Sequence, residues 1–269
     1  MEQQVALITG GSSGIGKSIG IFLKAKGFKV YGTTRNLERN AGFQEFDLLE
    51  MDVRHPENIA KGVETLIQDE GRLDVLINNA GVGITGPIEE TPHEEILKAF
   101  DTNFNGPLHM IKAVLPQMRK QGGGHILTIT SIAGYMGLPY RGIYSATKGA
   151  LELALEAIRM ETRNFDVRIT TLAPGDFATN IAAGRYHAPV LEDSPYAASY
   201  GSTLTQMNQD VDKGGDPGQV AEKVWSILKK NSPALHYKVG SPMQKFSIVL
   251  KRILPDRAYE KLLLNHYKL

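Results

Sequence analysis

The feature that most constrains this chain is its first twenty-five residues. Val5-Ala6-Leu7-Ile8-Thr9 is a short apolar run of strand formers that stops at Gly10-Gly11-Ser12-Ser13-Gly14-Ile15-Gly16. Ser18, Ile19, Ile21, Phe22, Leu23 and Ala25 then recur at helical spacing and end at Gly27. The order is strand, glycine-rich turn, helix. Glycines let a backbone turn sharply and approach a pyrophosphate, and a helix N-terminus offers free N–H groups and a favourable dipole. The spacing is Gly-x-x-x-Gly-x-Gly, and its position between a strand and a helix marks it as a phosphate-binding turn.

Apolar strand-like runs recur along the chain. They cover Lys29–Thr34, Phe46–Met51, Leu73–Ile77, His125–Thr130, Val167–Leu172 and Tyr237–Gly240, with helical patterns such as Glu57–Gln68 and Pro92–Met118 between them. Repeated strand–helix order predicts a parallel sheet with right-handed crossovers. We expect an α/β fold: one domain over residues 1–269, a Rossmann-type doubly wound sheet of about seven strands with helices on both faces. No linker, repeat or low-complexity tract interrupts it. The net charge of +1 gives no electrostatic case for nucleic acid. The absence of cysteine excludes disulfides and thiolate sites and favours the cytoplasm. The seven histidines are scattered without metal-ligand spacing, so no metal is assigned. No segment has the length of a membrane span or the pattern of a secretory signal.

Ligands in such sheets bind beyond the carboxyl ends of the strands. The second strand ends in Thr33-Thr34-Arg35-Asn36, with no acidic residue where an NAD site would place one. Arg35 instead suits a 2′-phosphate, which favours NADP(H) over NAD(H). Asp52, beside Val53, follows the third strand and suits either an adenine amino group or a turn. Asn78-Asn79-Ala80-Gly81 ends the fourth, Ser131 the fifth and Ala173-Pro174-Gly175 the sixth. Tyr144 and Lys148 stand four apart at the head of a helical run. They share one face, and a cation beside a phenol favours its ionised form and readies it for proton transfer.

Taken together, these residues resemble the short-chain dehydrogenase/reductase family over about Val5 to Thr179. The likeness rests on five motifs in order: Thr9-Gly10-x-x-x-Gly14-Ile15-Gly16, Asn78-Asn79-Ala80-Gly81, Asn103, Ser131 before Tyr144-x-x-x-Lys148, and Pro174-Gly175 with Thr179. The resemblance implies a role for each. Tyr144 is the general acid or base. Lys148 supports it and holds the nicotinamide ribose. Ser131 binds the substrate carbonyl together with Tyr144. Asn103 kinks its helix and anchors a water linked to Lys148. Thr9, Gly10, Ser12, Ser13, Gly14, Ile15, Gly16, Arg35, Asp52, Val53, Asn79, Ala80, Gly81, Pro174, Gly175 and Thr179 line the cofactor. By the same analogy the protein is a homodimer or homotetramer acting on a small-molecule carbonyl or alcohol.

Residues 180–215 show little periodicity and fit a lid over the substrate. Asp216 and Pro217 then open a helix. Beyond Ser241 an apolar tail interleaved with Lys245, Lys251, Arg252 and Lys261 reads first as a helical hairpin packed on the body. Its second reading is a cap over an apolar pocket that touches a membrane surface. The tail resembles the subset acting on hydroxysteroids, retinoids and related lipids. The alternative function is a non-catalytic NADPH-binding regulator on the same fold.

Overall fold

A computed structural model describes residues 3–177, 184–212 and 214–269. The N-terminal half runs β1 (Val5–Ile8), α1 (Gly14–Ala25), β2 (Lys29–Thr34), β3 (Asp47–Glu50), α2 (Pro56–Glu70), β4 (Val75–Asn78), β5 (Ile84–Thr85), α3 (His93–Phe100) and α4 (Gly106–Lys120). It continues with β6 (Gly124–Ile129), α5 (Gly142–Glu161), β7 (Val167–Pro174), β8 (Tyr186–His187), α6 (Ala197–Asp212), α7 (Gly218–Leu228), β9 (His236–Val239), α8 (Pro242–Ile253) and α9 (Asp256–Tyr267). Seven strands form one parallel sheet in the order β3-β2-β1-β4-β6-β7-β9. The order reverses after β1, between the segments that follow β1 and β4. This switch point is where an open α/β sheet leaves a crevice.

The inner strands β1, β2, β4, β6 and β7 are buried on both faces, so they read as nearly unbroken apolar runs rather than as alternation. Alternate residues still feed different cores. Leu7, Leu76, Ile126 and Ile169 point to one face and pack with Ile59, Val63 and Leu66 of α2, Met110 and Val114 of α4, and Leu151 and Leu155 of α5. Ile8, Ile77, Leu127 and Leu172 point to the other and meet Ile19 and Leu23 of α1 and Val220, Val224 and Ile227 of α7. Burying one such side chain contributes about 1.5–3 kcal/mol, which makes the register of these strands hard to slip.

Two local features differ from the expectation. Residues 180–215 are not one loose segment: the described part contains β8 and the sixteen-residue helix α6. Buried Tyr200 ties it down by donating to the carbonyls of Ala188, at 2.9 Å, and Thr85, at 3.3 Å. The regular helix α7 starts at Gly218, although the Asp216 carboxylate still accepts from the Gly218 N–H at 2.9 Å. As expected of a helix kinked at Asn103, the long helical pattern there is interrupted by a π turn at Asp101–Asn105 between α3 and α4.

The tail is a helical hairpin. Its helix α8 opens with a capping box between Ser241 and Gln244 and directs Ile248 inward. Ile248 and Tyr259 of α9 pack on Ile132 and Met136, which follow β6, and on Ala173 near the end of β7. The tail therefore buttresses the segments that carry the site. No described helix is long and apolar enough to cross a membrane.

Candidate active site

The turn after β1 is built by its neighbours. The Gly10 N–H donates to Thr33 Oγ1 at 3.1 Å, and the Gly11 N–H donates to the Thr33 carbonyl at 3.0 Å. Thr9 Oγ1 accepts from the N–H groups of Asn79 and Ala80, both at 2.9 Å, and Asn79 Nδ2 donates back to the carbonyls of Thr9 and Gly10. Thus the ends of β1, β2 and β4 hold one another in place. Gly10 and Gly14 have φ of 63° and 53°, which a side chain would strain. A Cβ on Gly16 would lie 2.5 Å from Asn79 Nδ2 and closer still to the Gly10 carbonyl oxygen. Only a bare backbone fits this cradle.

At the other end of the cleft, Ser131 follows β6 and caps the short 3-10 turn Ile132–Tyr135, its Oγ accepting from the Ala133 N–H at 3.1 Å. Gly134 of that turn packs against the backbone of Lys148 and Gly149. This contact fixes Ser131 relative to α5, which carries Tyr144 and Lys148 one turn apart. Lys148 is buried and donates to the Ile129 carbonyl at 3.2 Å. Tyr144 is half-buried, and the Arg141 guanidinium lies 5.7 Å from its ring centre.

Asn103 clamps the two halves of the cleft. Its Oδ1 accepts from the Val82 N–H at 2.8 Å, while Nδ2 donates to the Val82 carbonyl at 2.9 Å and to Thr147 Oγ1 at 3.2 Å. Thr147 in turn donates to the Tyr144 carbonyl at 2.8 Å. Both Nδ2 hydrogens of Asn103 are thereby engaged, whereas Oδ1 keeps one acceptor position for a water. Gly81 fits between: a Cβ there would stand 3.3 Å from Asn103 Oδ1 and 3.5 Å from Lys148 Nζ.

One cleft of about 450 Å³ gathers most of the expected residues: Gly10, Ser12, Ser13, Gly14 and Ile15; Arg35; Asp52 and Val53; Asn79, Ala80 and Gly81; and Ser131, Tyr144, Lys148, Pro174 and Gly175. Its size is ordinary for a small-molecule site. Thr9, Gly16 and Asn103 stand just behind its wall. Thr179 and the stretch 180–183 lie outside the described residues. Asp52 departs from a free adenine contact: its carboxylate takes a forked bond from Arg54, at 2.6–3.1 Å, and that bond holds its pKa below the usual carboxylate range. Arg35 is exposed at the mouth, beside Arg39. Arg39, Arg141 and Arg185 were not singled out from the sequence. Each lies in a connecting segment where periodicity says nothing about side-chain direction.

A larger cavity, about 1,050 Å³, opens at the opposite ends of the strands. Arg159 and Arg168 in its wall donate to the carbonyls of Ile169, Pro233 and Lys230 and thus tie β7 to the segment before β9. We assign the function to the smaller cleft, because it alone lies at the switch point and carries the glycine cradle and Tyr144.

The cradle also tests the chain for a dinucleotide. Backbone N–H groups at the head of α1, the absence of room for side chains at Gly10 and Gly16, and the uncapped Ser13 hydroxyl suit a pyrophosphate at that position. The residues present fit a nicotinamide dinucleotide.

Comparison with known proteins agrees. Residues 4–189 match the family model described as short chain dehydrogenase. The chain is 38% identical over 257 residues to a 3-ketodihydrosphingosine reductase of Bacteroides thetaiotaomicron, covering 95% of each chain. It is 32% identical over 256 residues to 17-beta-hydroxysteroid dehydrogenase type 1 of Homo sapiens, covering 88% of this chain and 77% of the human one. The crystal structure of a short-chain dehydrogenase from Streptomyces avermitilis superposes with a TM-score of 0.83 at 29% identity, covering 100% of this chain and 97% of the other. Solved neighbours of the same fold hold NADP in some cases and NAD in others. The chain belongs to the short-chain dehydrogenase/reductase family of oxidoreductases.

Proposed function

We propose that this protein is an NADP(H)-dependent oxidoreductase that interconverts a carbonyl and an alcohol on a substrate with an apolar body. The observation that carries the reading is the convergence of Ser131, Tyr144 and Lys148 on the same cleft as the glycine cradle. A binding-only regulator has no need of that convergence. The bound nicotinamide supplies or accepts the hydride. The Ser131 hydroxyl and the Tyr144 phenol hold the carbonyl oxygen, and Tyr144 gives up or takes the proton at that oxygen as charge develops. Lys148, anchored on Ile129 one turn along α5 from Tyr144, would bring its ammonium near the phenol and offer its remaining N–H donors to the ribose. Asn103 and Gly134 position these groups and do not touch the reactants.

Arg35 and Arg39 support the preference for a 2′-phosphate, because two guanidinium groups line the adenosine end and the one described carboxylate lining it, Asp52, is paired with Arg54. Val82, Ile84 and Phe177 support an apolar substrate body. Leu153 and Met160, 67% and 68% exposed on α5, suit a contact between copies of the chain; light scattering at twice or four times the chain mass would bear this out, and a monomer would refute it. The function itself is tested by NADPH absorbance loss against ketones and aldehydes of steroid, retinoid and fatty type, with NADH in parallel. We expect turnover with NADPH at least about tenfold above NADH, the worth of one charge-assisted contact. No oxidation of either nucleotide with any carbonyl, despite measurable NADPH binding, would favour the regulator.

A further inference from the structure

Besides Lys148, two guanidinium groups line the cleft near Tyr144, and neither forms an ion pair with a described carboxylate. Arg185, just before β8, lays its stem across Gly83, where a Cβ would meet its Cγ at 2.8 Å and its Nε at 3.1 Å. One terminal nitrogen, Nη1, is buried and has no hydrogen-bond partner. Arg141, at the head of α5, rests against the face of the Tyr144 ring. The two line the same cleft close enough to repel: burial first, then the charge of Arg141, lowers the Arg185 pKa from the ordinary arginine value. Asp176 is the carboxylate nearest to hand in that wall, and its Oδ2 is occupied by Gln244 Nε2 at 2.8 Å.

A half-buried guanidinium that lacks an acceptor and faces another guanidinium is unfavourable as it stands. Such an arrangement persists in a ligand cleft when the missing anion arrives with the ligand. Guanidinium groups favour planar oxyanions because their N–H fork matches two acceptor oxygens. Arg35 and Arg39 are assigned above to the adenosine end, whereas Arg185 packs on Gly83, just before β5.

We propose that Arg185 and Arg141 form an oxyanion subsite for the substrate, so that the preferred carbonyl compounds carry a carboxylate, phosphate or sulfate group on an apolar body. This rests on the assignment of the cleft to carbonyl reduction and names the substrate class within it. It also implies discrimination: a cationic group near the carbonyl is repelled by both arginines.

The test uses three matched sets of straight-chain ketones of graded length: oxo acids, their methyl esters, and quaternary ammonium analogues. Binding to the full-length Tyr144→Phe protein with NADPH present is measured by calorimetry, so that no turnover is needed. Turnover is measured separately with the native protein. The acids are expected to bind about 10- to 100-fold more tightly than the esters, and the ammonium compounds most weakly. Arg185→Gln should collapse the acid-to-ester ratio, Arg185→Lys should restore part of it, and Arg141→Gln should reduce it in the same direction. An unchanged ratio in both Gln variants overturns the subsite. Equal loss of NADPH affinity with no change in the ratio also overturns it, and assigns the arginines to the cofactor phosphates. Acid-selective binding without any turnover would keep the subsite and refute the reductase reading.

Discussion

The glycine cradle permits a quantitative prediction. Replacing Gly16 by Ala adds a single methyl group at the head of α1. That methyl would sit 2.5 Å from Asn79 Nδ2 and closer to the Gly10 carbonyl oxygen, nearer than real Cβ atoms come to anything. Asn79 cannot yield easily, because the same Nδ2 binds the carbonyls of Thr9 and Gly10. The Gly10 carbonyl cannot yield without moving the turn that is to hold the phosphates. Overpacking of this kind costs about 1–3 kcal/mol. Where the turn relaxes by shifting, the cost falls on dinucleotide affinity, a weakening of about 5- to 150-fold. Titration of NADPH fluorescence measures it directly. Gly42→Ala is the control, because a Cβ at Gly42 meets nothing within 4 Å. If Gly16→Ala binds NADPH within twofold of the control, the cradle is not where the nucleotide sits.

Two further predictions concern the frame around the site. Gln244 caps α8 and binds Asp176, and its side chain fills the space above Gly175. Gln244→Ala should therefore lower stability by about 1–2 kcal/mol in urea unfolding and weaken NADPH binding severalfold, whereas an unchanged nucleotide affinity would separate the tail from the site. His125 pairs with Thr170 at 3.0 Å, and burial, aided by Arg168 and Arg159, pushes its pKa down to about 4. The unfolded chain takes up this proton near pH 6.5 and the folded chain only near pH 4, so the stabilisation is complete above pH 6.5 and is lost as pH falls. Between pH 7 and pH 4 the native protein should lose about 3 kcal/mol more than His125→Gln, and equal losses would contradict a buried neutral imidazole.

The central strands β1, β2, β4, β6 and β7 could be read from the sequence because they are buried on both faces, and a doubly buried strand declares itself as a continuous apolar run. The glycine turn and the Tyr144–Lys148 pair were legible for a similar reason: their chemistry lies in local spacing. The fold of residues 184–212 was not. Strands β5 and β8 have two residues each, and Tyr200 joins residues more than a hundred positions apart, so no local window contains the signal. The buried carboxylate Glu152 escaped notice likewise. It accepts from Thr130 at 2.5 Å and Thr171 at 2.9 Å and pairs with His236 at 2.9 Å, linking β6, β7 and β9 behind the site. In sequence it is one glutamate on an amphipathic helix. The role of Asp52 turned on Arg54, two residues away, whose direction only the fold reveals.

The proposal that Tyr144 handles the proton has one direct measurement. Tyr144→Phe removes a hydroxyl and leaves the ring packed against Arg141. Single-turnover hydride transfer from NADPH should slow by about 10²- to 10⁴-fold in this variant, with NADPH affinity unchanged. Hydride transfer at the native rate would contradict the account.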